Sequence, residues 1–381
     1  MPEPPVQADS RLFAVDRELD SILHTPVIGG LDALRALAIL LVLTDHYQVT
    51  DHLFHTHPEL GALGVMIFFV LSGFLITGIL LREHANTGTI SLGNFYRRRA
   101  FRIFPAFYCC WILDSVVDLA FHQFHWQGAA ASFFYLMDYG RALHVTNPAY
   151  SQMWISWSLA VEEKFYLLWP LLLLSLLKKR PLLVRTVSCV ILGLWAYRAF
   201  LYLVLGVSWG YLYCAFEMRA DALLTGCLLS ILVNEPRTRA MCSVVLRWQW
   251  LSLLPPAALA WAVLVPPANR GLFLLLWSLQ PVIIAVMLLQ AIYWGARSWT
   301  FCRYRLVRAI ALLSYSLYLY HPLGSKLIYL LHIPHNGLAS LLLVPVLALS
   351  SYRLVEKPFL RMRDRPRLQK AQELVPAGGA A

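Results

Sequence analysis

Apolar runs of about twenty residues, each closed by a short polar stretch, recur along the whole chain, which is the pattern of helices that cross a bilayer. They predict ten spans, at about 30–48, 61–81, 103–121, 153–177, 184–205, 209–233, 248–265, 271–293, 309–331 and 337–355. A polar tail over 1–27 precedes them, with a short amphipathic helix expected around Ser10 to Leu23. The segment 28–360 is read as one membrane domain, and 361–381 as a disordered cytoplasmic tail ending in Ala and Gly. The loop 49–60 is rich in His, Asp and Thr and holds no Lys or Arg, and a longer polar and aromatic segment runs up to about 152.

Charge sets the sidedness. Lys and Arg collect in the first tail, in 82–102, 178–185, 234–247 and 294–308, and in the segment from Arg353 onward, whereas the opposite loops hold only Arg141 and Arg270. Cytoplasmic loops carry the excess of Lys and Arg. The expected fold is therefore an all-α, polytopic helical bundle of about ten transmembrane helices with both termini in the cytoplasm.

Several ionisable residues fall inside the spans. Arg35 and His46 are eleven residues apart, about three turns plus 20°, so they share one helix face about 16 Å apart. At 1.5 Å per residue His46 lies about 22 Å into the first span, and Glu162 and Glu163 about 14 Å into the fourth. Arg219 and Asp221 lie about 15–18 Å into the sixth span, and His321 about 20 Å into the ninth. Charges at that depth are costly unless they line a cavity or find partners, so one shared polar cavity is expected. Each residue also has a plainer reading. Glu162 and Glu163 would be counter-ions for Lys164 and Arg198, Arg219 or Asp221 an interhelical strut, and His321 the mark of a kink at Pro322. The aromatic SYSLYLYH stretch reads as packing. Arg99 and Arg102, spaced i,i+3, share a face that suits a phosphate clamp; otherwise the 97–102 run is a basic anchor.

Composition narrows the class. A chain of 381 residues that is 59% hydrophobic and 14% charged is a multispanning membrane protein. The net charge of +11 follows the loops and does not point to nucleic acid. The seven cysteines show no CxxC and no metal-ligand spacing, and read as packing residues without disulfides or a metal site. The first apolar run ends in Asp-His, so no cleavable signal peptide is expected.

Seven stretches, taken in order, resemble acyltransferase family 3, the bacterial membrane O-acyltransferases of O-antigen and exopolysaccharide. RALAILLVLTDH is similar to the family's Arg/Lys-X10-His motif at Arg35 and His46, and FFVLSGFLIT to its second-span signature at Ser72, Gly73 and Phe74. RRRAFRIFP resembles the RxxR block at Arg99 and Arg102. WSLAVEEKFYLLWP resembles the WSLxxE segment at Trp157, Ser158, Glu162 and Tyr166. RADALLTG, SYSLYLYHP and VEKPF fit the later blocks. The resemblance covers about 28–360. It implies transfer of an acyl group, usually acetyl, from cytoplasmic acyl-CoA to a hydroxyl of a carbohydrate or glycoconjugate, in the bacterial inner membrane. His46 would then be the general base, or alternatively accept the acyl group itself, oriented by Glu162 or by Asp45. Arg35 would guide the donor or stabilise developing negative charge. Arg99, Arg102, Ser72 and Gly73 are assigned to the acyl-CoA, with Ser72-Gly73 allowing the thioester close to backbone. Trp157, Tyr166, Arg219, Asp221 and His321 are assigned to the acceptor. No SGNH hydrolase-like domain is expected, since little chain follows the tenth span. The rival class is a proton-coupled transporter, against which stands the lack of paired repeats. A subunit that only presents substrate to another enzyme is a third reading.

Overall fold

The computed structural model describes residues 10–25, 27–47, 59–146, 153–264, 269–333 and 336–363; most of the expected 49–60 loop and the tail beyond 363 lie outside them. Regular structure among the described residues is helical throughout. Five helices are long and apolar enough to cross a membrane: Leu60–Thr87, Leu92–Ala120, Arg180–Leu203, Arg270–Arg297 and Ala339–Arg363. Helices α2 (Gly29–His46), α7 (Ser156–Leu176) and α10 (Phe216–Val233) are not among them. These three carry Asp32, Arg35 and Asp45; Glu162, Glu163 and Lys164; and Glu217, Arg219 and Asp221.

Helix α3 (Leu60–Thr87) forms the centre of the bundle. Its apolar window is 72% buried, against 22% for α8 (Arg180–Leu203), so α3 is wrapped by protein while α8 turns most of its surface outward. The closest packing is α3 on α10 and on α2. Glycine makes the first contact possible: a Cβ on Gly73 would lie 1.9 Å from the Leu223 carbonyl oxygen, and one on Gly226 would lie 2.0 Å from that of Val70. Such close backbone approach is how helices associate where no hydrophobic drive exists between them. Gly88, at φ 74°, ends α3 in the left-handed conformation.

Three boundaries differ from the expectation. Helix α4 (Leu92–Ala120) begins well before the expected 103, so the RxxR block lies inside it and Pro105 falls mid-helix. Hydropathy rises only after the arginines, but backbone hydrogen bonding does not need apolar side chains. The sixth run breaks at Ala215 (φ −62°, ψ 141°) into α9 (Trp209–Cys214) and α10. The seventh run yields a 3₁₀ segment, Gln249–Leu253, and an eleven-residue helix, α12 (Leu254–Leu264), with Pro255-Pro256 in its first turn. At about 1.5 Å per residue the described part of α12 is about 16 Å long, and residues 265–268 that follow it lie outside the described residues.

The remaining helices are α5 (Trp126–Phe133), α6 (Met137–Ala142), α11 (Pro236–Cys242), α13 (Arg270–Arg297), α14 (Arg305–Leu330) and α15 (Asn336–Ser351), the last continuing into a π-helical turn at Tyr352–Glu356. The expected amphipathic helix is α1 (Ser10–Leu23). It straps the basic loops together: Asp16 pairs with Arg239 at 2.9 Å, Glu18 with Arg297 at 2.6 Å, and Arg82 donates to the Leu23 carbonyl at 3.2 Å. Arg180 reaches Glu235 at 2.8 Å on the same side. The segments grouped by charge thus meet on one face of the bundle.

Candidate active site

A cavity of about 180 Å³ opens between α2, α3, α4, α7 and α14. Arg35, Ser72, Arg99, Arg102, Glu162 and Tyr166 all line it. Three guanidinium groups from two helices thus face one carboxyl group, an electrostatic setting for an anion. Arg35 is held by Asp32 at 2.9 Å, one turn back on α2. Arg99 lies 5.0 Å from the Tyr166 ring centre, a cation–π contact that orients it. Arg102 is exposed and marks where the cavity opens. Ser72 Oγ donates to Glu162 Oε1 at 2.6 Å, joining α3 to α7. Arg98, in the same basic run, is tied to Glu83 at 2.8 Å and plays the anchoring part.

The inner wall is closed by Ser158 and Tyr318, whose hydroxyls lie 2.6 Å apart. Tyr318 OH also donates to the Ile155 carbonyl at 3.1 Å. Behind this pair, and not on the cavity wall, stands His46. Its ring centre is 4.6 Å from that of His321 and 5.3 Å from that of Trp154. His46 Nδ1 is 2.8 Å from the Val42 carbonyl oxygen, which can only accept, so Nδ1 carries the proton and Nε2 keeps its lone pair. Arg35 and His46 therefore do share an interior face, but the Ser158–Tyr318 bond separates them.

Other expected site residues lie elsewhere. Gly73 turns away from the cavity toward Leu223, so its missing side chain serves the α3–α10 crossing, and the expected approach of a thioester does not account for it. Asp221 forms a buried ion pair with Arg198 at 2.7 Å and is the strut that links α10 to α8. Arg219 points to another face, donating to the Tyr213 carbonyl at 2.6 Å and stacking 4.4 Å from the Tyr213 ring and 4.8 Å from that of Trp277. Trp157 packs beside them, 5.0 Å from the Tyr213 ring centre. Tyr166 belongs with Arg99 in the cavity. Lys164 takes its counter-ion from α6, at Asp138, 2.7 Å away, and not from its neighbouring glutamates.

Tyr315 and Tyr318 in the SYSLYLYH stretch line the cavity instead of only filling space. The signal was their i,i+3 spacing, which puts the two on one face of α14. Among the described residues no group of three His, Cys, Asp or Glu side chains is placed to hold a metal ion.

A helical bundle with long apolar helices, a basic internal cavity and a histidine pair close behind the Ser158–Tyr318 contact is the architecture of a membrane-embedded protein with an internal binding site. The chain belongs to acyltransferase family 3: the family model described as "Acyltransferase domain" matches residues 28–352. It is 35% identical over 219 residues to the peptidoglycan O-acetyltransferase OatA of Listeria monocytogenes, covering 53% of this chain and 33% of that protein. It is 34% identical over 221 residues to the putative peptidoglycan O-acetyltransferase YrhL of Bacillus subtilis, covering 55% and 34%. A putative O-acetyltransferase of Staphylococcus aureus, SACOL0978, is 33% identical over 219 residues, covering 54% and 35%. The aligned region thus spans about a third of the length of these relatives. No solved structure matches the chain.

Proposed function

We propose that this protein transfers an acyl group, acetyl by analogy with the relatives, from acyl-CoA to a hydroxyl of an envelope glycan. The observation that carries the reading is the convergence of Arg35, Arg99 and Arg102 on one cavity that ends at Ser158, Tyr318 and Glu162. Three arginines suit the phosphates of coenzyme A, a polyanion. At about 180 Å³ the cavity is below the roughly 300 Å³ of a drug-sized site, so only the thin thioester end of the donor enters while the phosphates stay at Arg99 and Arg102. Opening of the Ser158–Tyr318 bond lets the thioester carbonyl reach His46 Nε2, which takes the proton of the acceptor hydroxyl as that oxygen attacks. Arg35 lines the path of the leaving thiolate and stabilises its negative charge, while Glu162, held by Ser72, balances the arginine charges of the cavity.

We place ten crossings in the bacterial inner membrane, with α1 and the basic loops facing the cytoplasm, where acyl-CoA is found. The names of the relatives support a glycan acceptor, and family membership weighs against a transporter. The test is transfer by purified protein. Radiolabelled acetyl-CoA supplied with soluble muropeptide should yield an acetyl ester and free coenzyme A, and His46→Ala should abolish both while still folding. Full turnover by His46→Ala, or no release of coenzyme A by wild type, refutes the reading.

A further inference from the structure

Arg141 is a half-buried cation on α6 whose Nη1 is sealed from solvent and has no hydrogen-bond partner among the described residues. A buried donor left unpaired on a charged group is costly and calls for an explanation. Its natural partner by spacing is Asp138, one turn back on the same short helix. Asp138 pairs instead with Lys164, its two oxygens 2.7 and 2.9 Å from Nζ. The carboxylates of α4 and α10 are engaged as well. Glu217 accepts from Tyr139 at 2.7 Å and from Tyr211, Asp221 pairs with Arg198, and Asp114 and Asp118 both hold Lys326. Arg219 of α10 already donates to the Tyr213 carbonyl and stacks on the Tyr213 and Trp277 rings. Arg141 thus keeps a donor in reserve where its neighbours have used theirs.

Trp154 fixes where that donor stands relative to the chemistry. The Arg141 guanidinium carbon lies 5.0 Å from the Trp154 ring centre, a cation–π contact that orients it. The same ring centre is 5.3 Å from that of His46. Arg141 and His46 are therefore at most the sum of these distances apart, about 10 Å. A pyranose ring with one substituent spans such a gap. Arg141 is not on the wall of the donor cavity, so it is placed to serve the second substrate.

We infer that Arg141 holds an anionic group of the acceptor, and hence that the acceptor is an acidic sugar, with a carboxylate on the same ring as the hydroxyl that takes the acyl group. This rests on the reading of His46 as general base. The carboxylate accepts from Arg141 Nη1, which supplies the missing partner, and the bond aims the neighbouring hydroxyl at the lone pair of His46 Nε2. An amide in place of the carboxylate brings no charge, so a half-buried guanidinium tells the two apart. Arg141 touches the acceptor away from the bond that forms, so its effect falls on acceptor binding.

The test uses purified wild type and Arg141→Gln with radiolabelled acetyl-CoA and two acceptors. One is the disaccharide of N-acetylglucosamine and N-acetylmuramic acid, whose lactyl group ends in a free carboxylate; the other is the methyl amide of that carboxyl. Wild type should have an acceptor KM lower for the acid by about 10- to 100-fold, the range of one charge-assisted hydrogen bond. Arg141→Gln should bring the ratio of the two close to one with donor KM unmoved, and Arg141→Lys should keep part of the preference. Equal use of both acceptors by wild type overturns the assignment and needs no variant to fold. A preference that survives Arg141→Gln overturns it as well. Transfer to neither disaccharide, with transfer to muropeptide intact, rejects the acidic sugar and leaves the acyl-transfer reading standing; no release of coenzyme A with any acceptor refutes that reading first.

Discussion

Removing the guanidinium groups of Arg99 and Arg102 is the sharpest probe of how the donor is held. A charge-assisted hydrogen bond to phosphate is worth about 1.5–3 kcal/mol. Arg99 is half-buried and stacked on Tyr166, so its loss should cost about 2 kcal/mol, roughly 30-fold in donor affinity. Arg102 is exposed, and solvent screening reduces its share to about 1 kcal/mol, roughly fivefold. Arg99→Ala with Arg102→Ala should therefore raise the donor KM by about 150-fold with little change in kcat, the signature of lost uniform binding. The assay compares acetyl-CoA with acetyl-pantetheine, which has the thioester but no phosphate. The double variant should be impaired only with acetyl-CoA. Arg98→Ala, which breaks only the Glu83 pair, should leave both donors unaffected. An equal penalty on both thioesters, or an unchanged acetyl-CoA KM, would falsify the phosphate assignment.

Further outcomes follow from the packing. Asp221→Asn leaves the Arg198 charge buried without its carboxylate and should destabilise the protein by about 3–5 kcal/mol, whereas Arg198→Met with Asp221→Leu should recover most of the lost thermal stability. Gly73→Leu must push α3 from α10, because even a Cβ would overlap the Leu223 carbonyl; it should lower the melting temperature without selectively changing the donor KM. Ser72→Ala frees Glu162 Oε1 of its 2.6 Å bond and should lower kcat about tenfold, with Ser72→Thr retaining activity. Ser158→Ala with Tyr318→Phe removes the bond that closes the cavity, and a thiol reagent entering from the cavity side should then reach a cysteine placed at Trp154 faster than in the parent.

The sequence carried what periodicity can carry. The eleven-residue step from Arg35 to His46 puts both on the inner face of α2, and the three-residue step from Arg99 to Arg102 brings both arginines to the cavity. Partners from other helices leave no such trace. Lys164 and Arg198 each sit near glutamates in the chain or on neighbouring spans, yet their counter-ions are Asp138 and Asp221. The Ser158–Tyr318 bond joins residues 160 positions apart and depends on how α7 crosses α14. Hydropathy also misplaced the start of α4, since a basic helical turn and a basic loop have the same composition. Gly73 is a related case: a glycine that admits a ligand and one that admits a neighbouring backbone read alike until the neighbour is known, and here Leu223 is that neighbour.

The hydroxyl bond between Ser158 and Tyr318 bears on the economy of the whole cell. A protein threaded through an energised membrane must not let ions cross it, for a standing leak would drain the gradient that drives ATP synthesis and nutrient uptake. Here the basic vestibule meets two hydrogen-bonded hydroxyls, with the rings of His46, His321 and Trp154 packed close behind, so an ion entering it faces a closed bond and packed rings before it could go further.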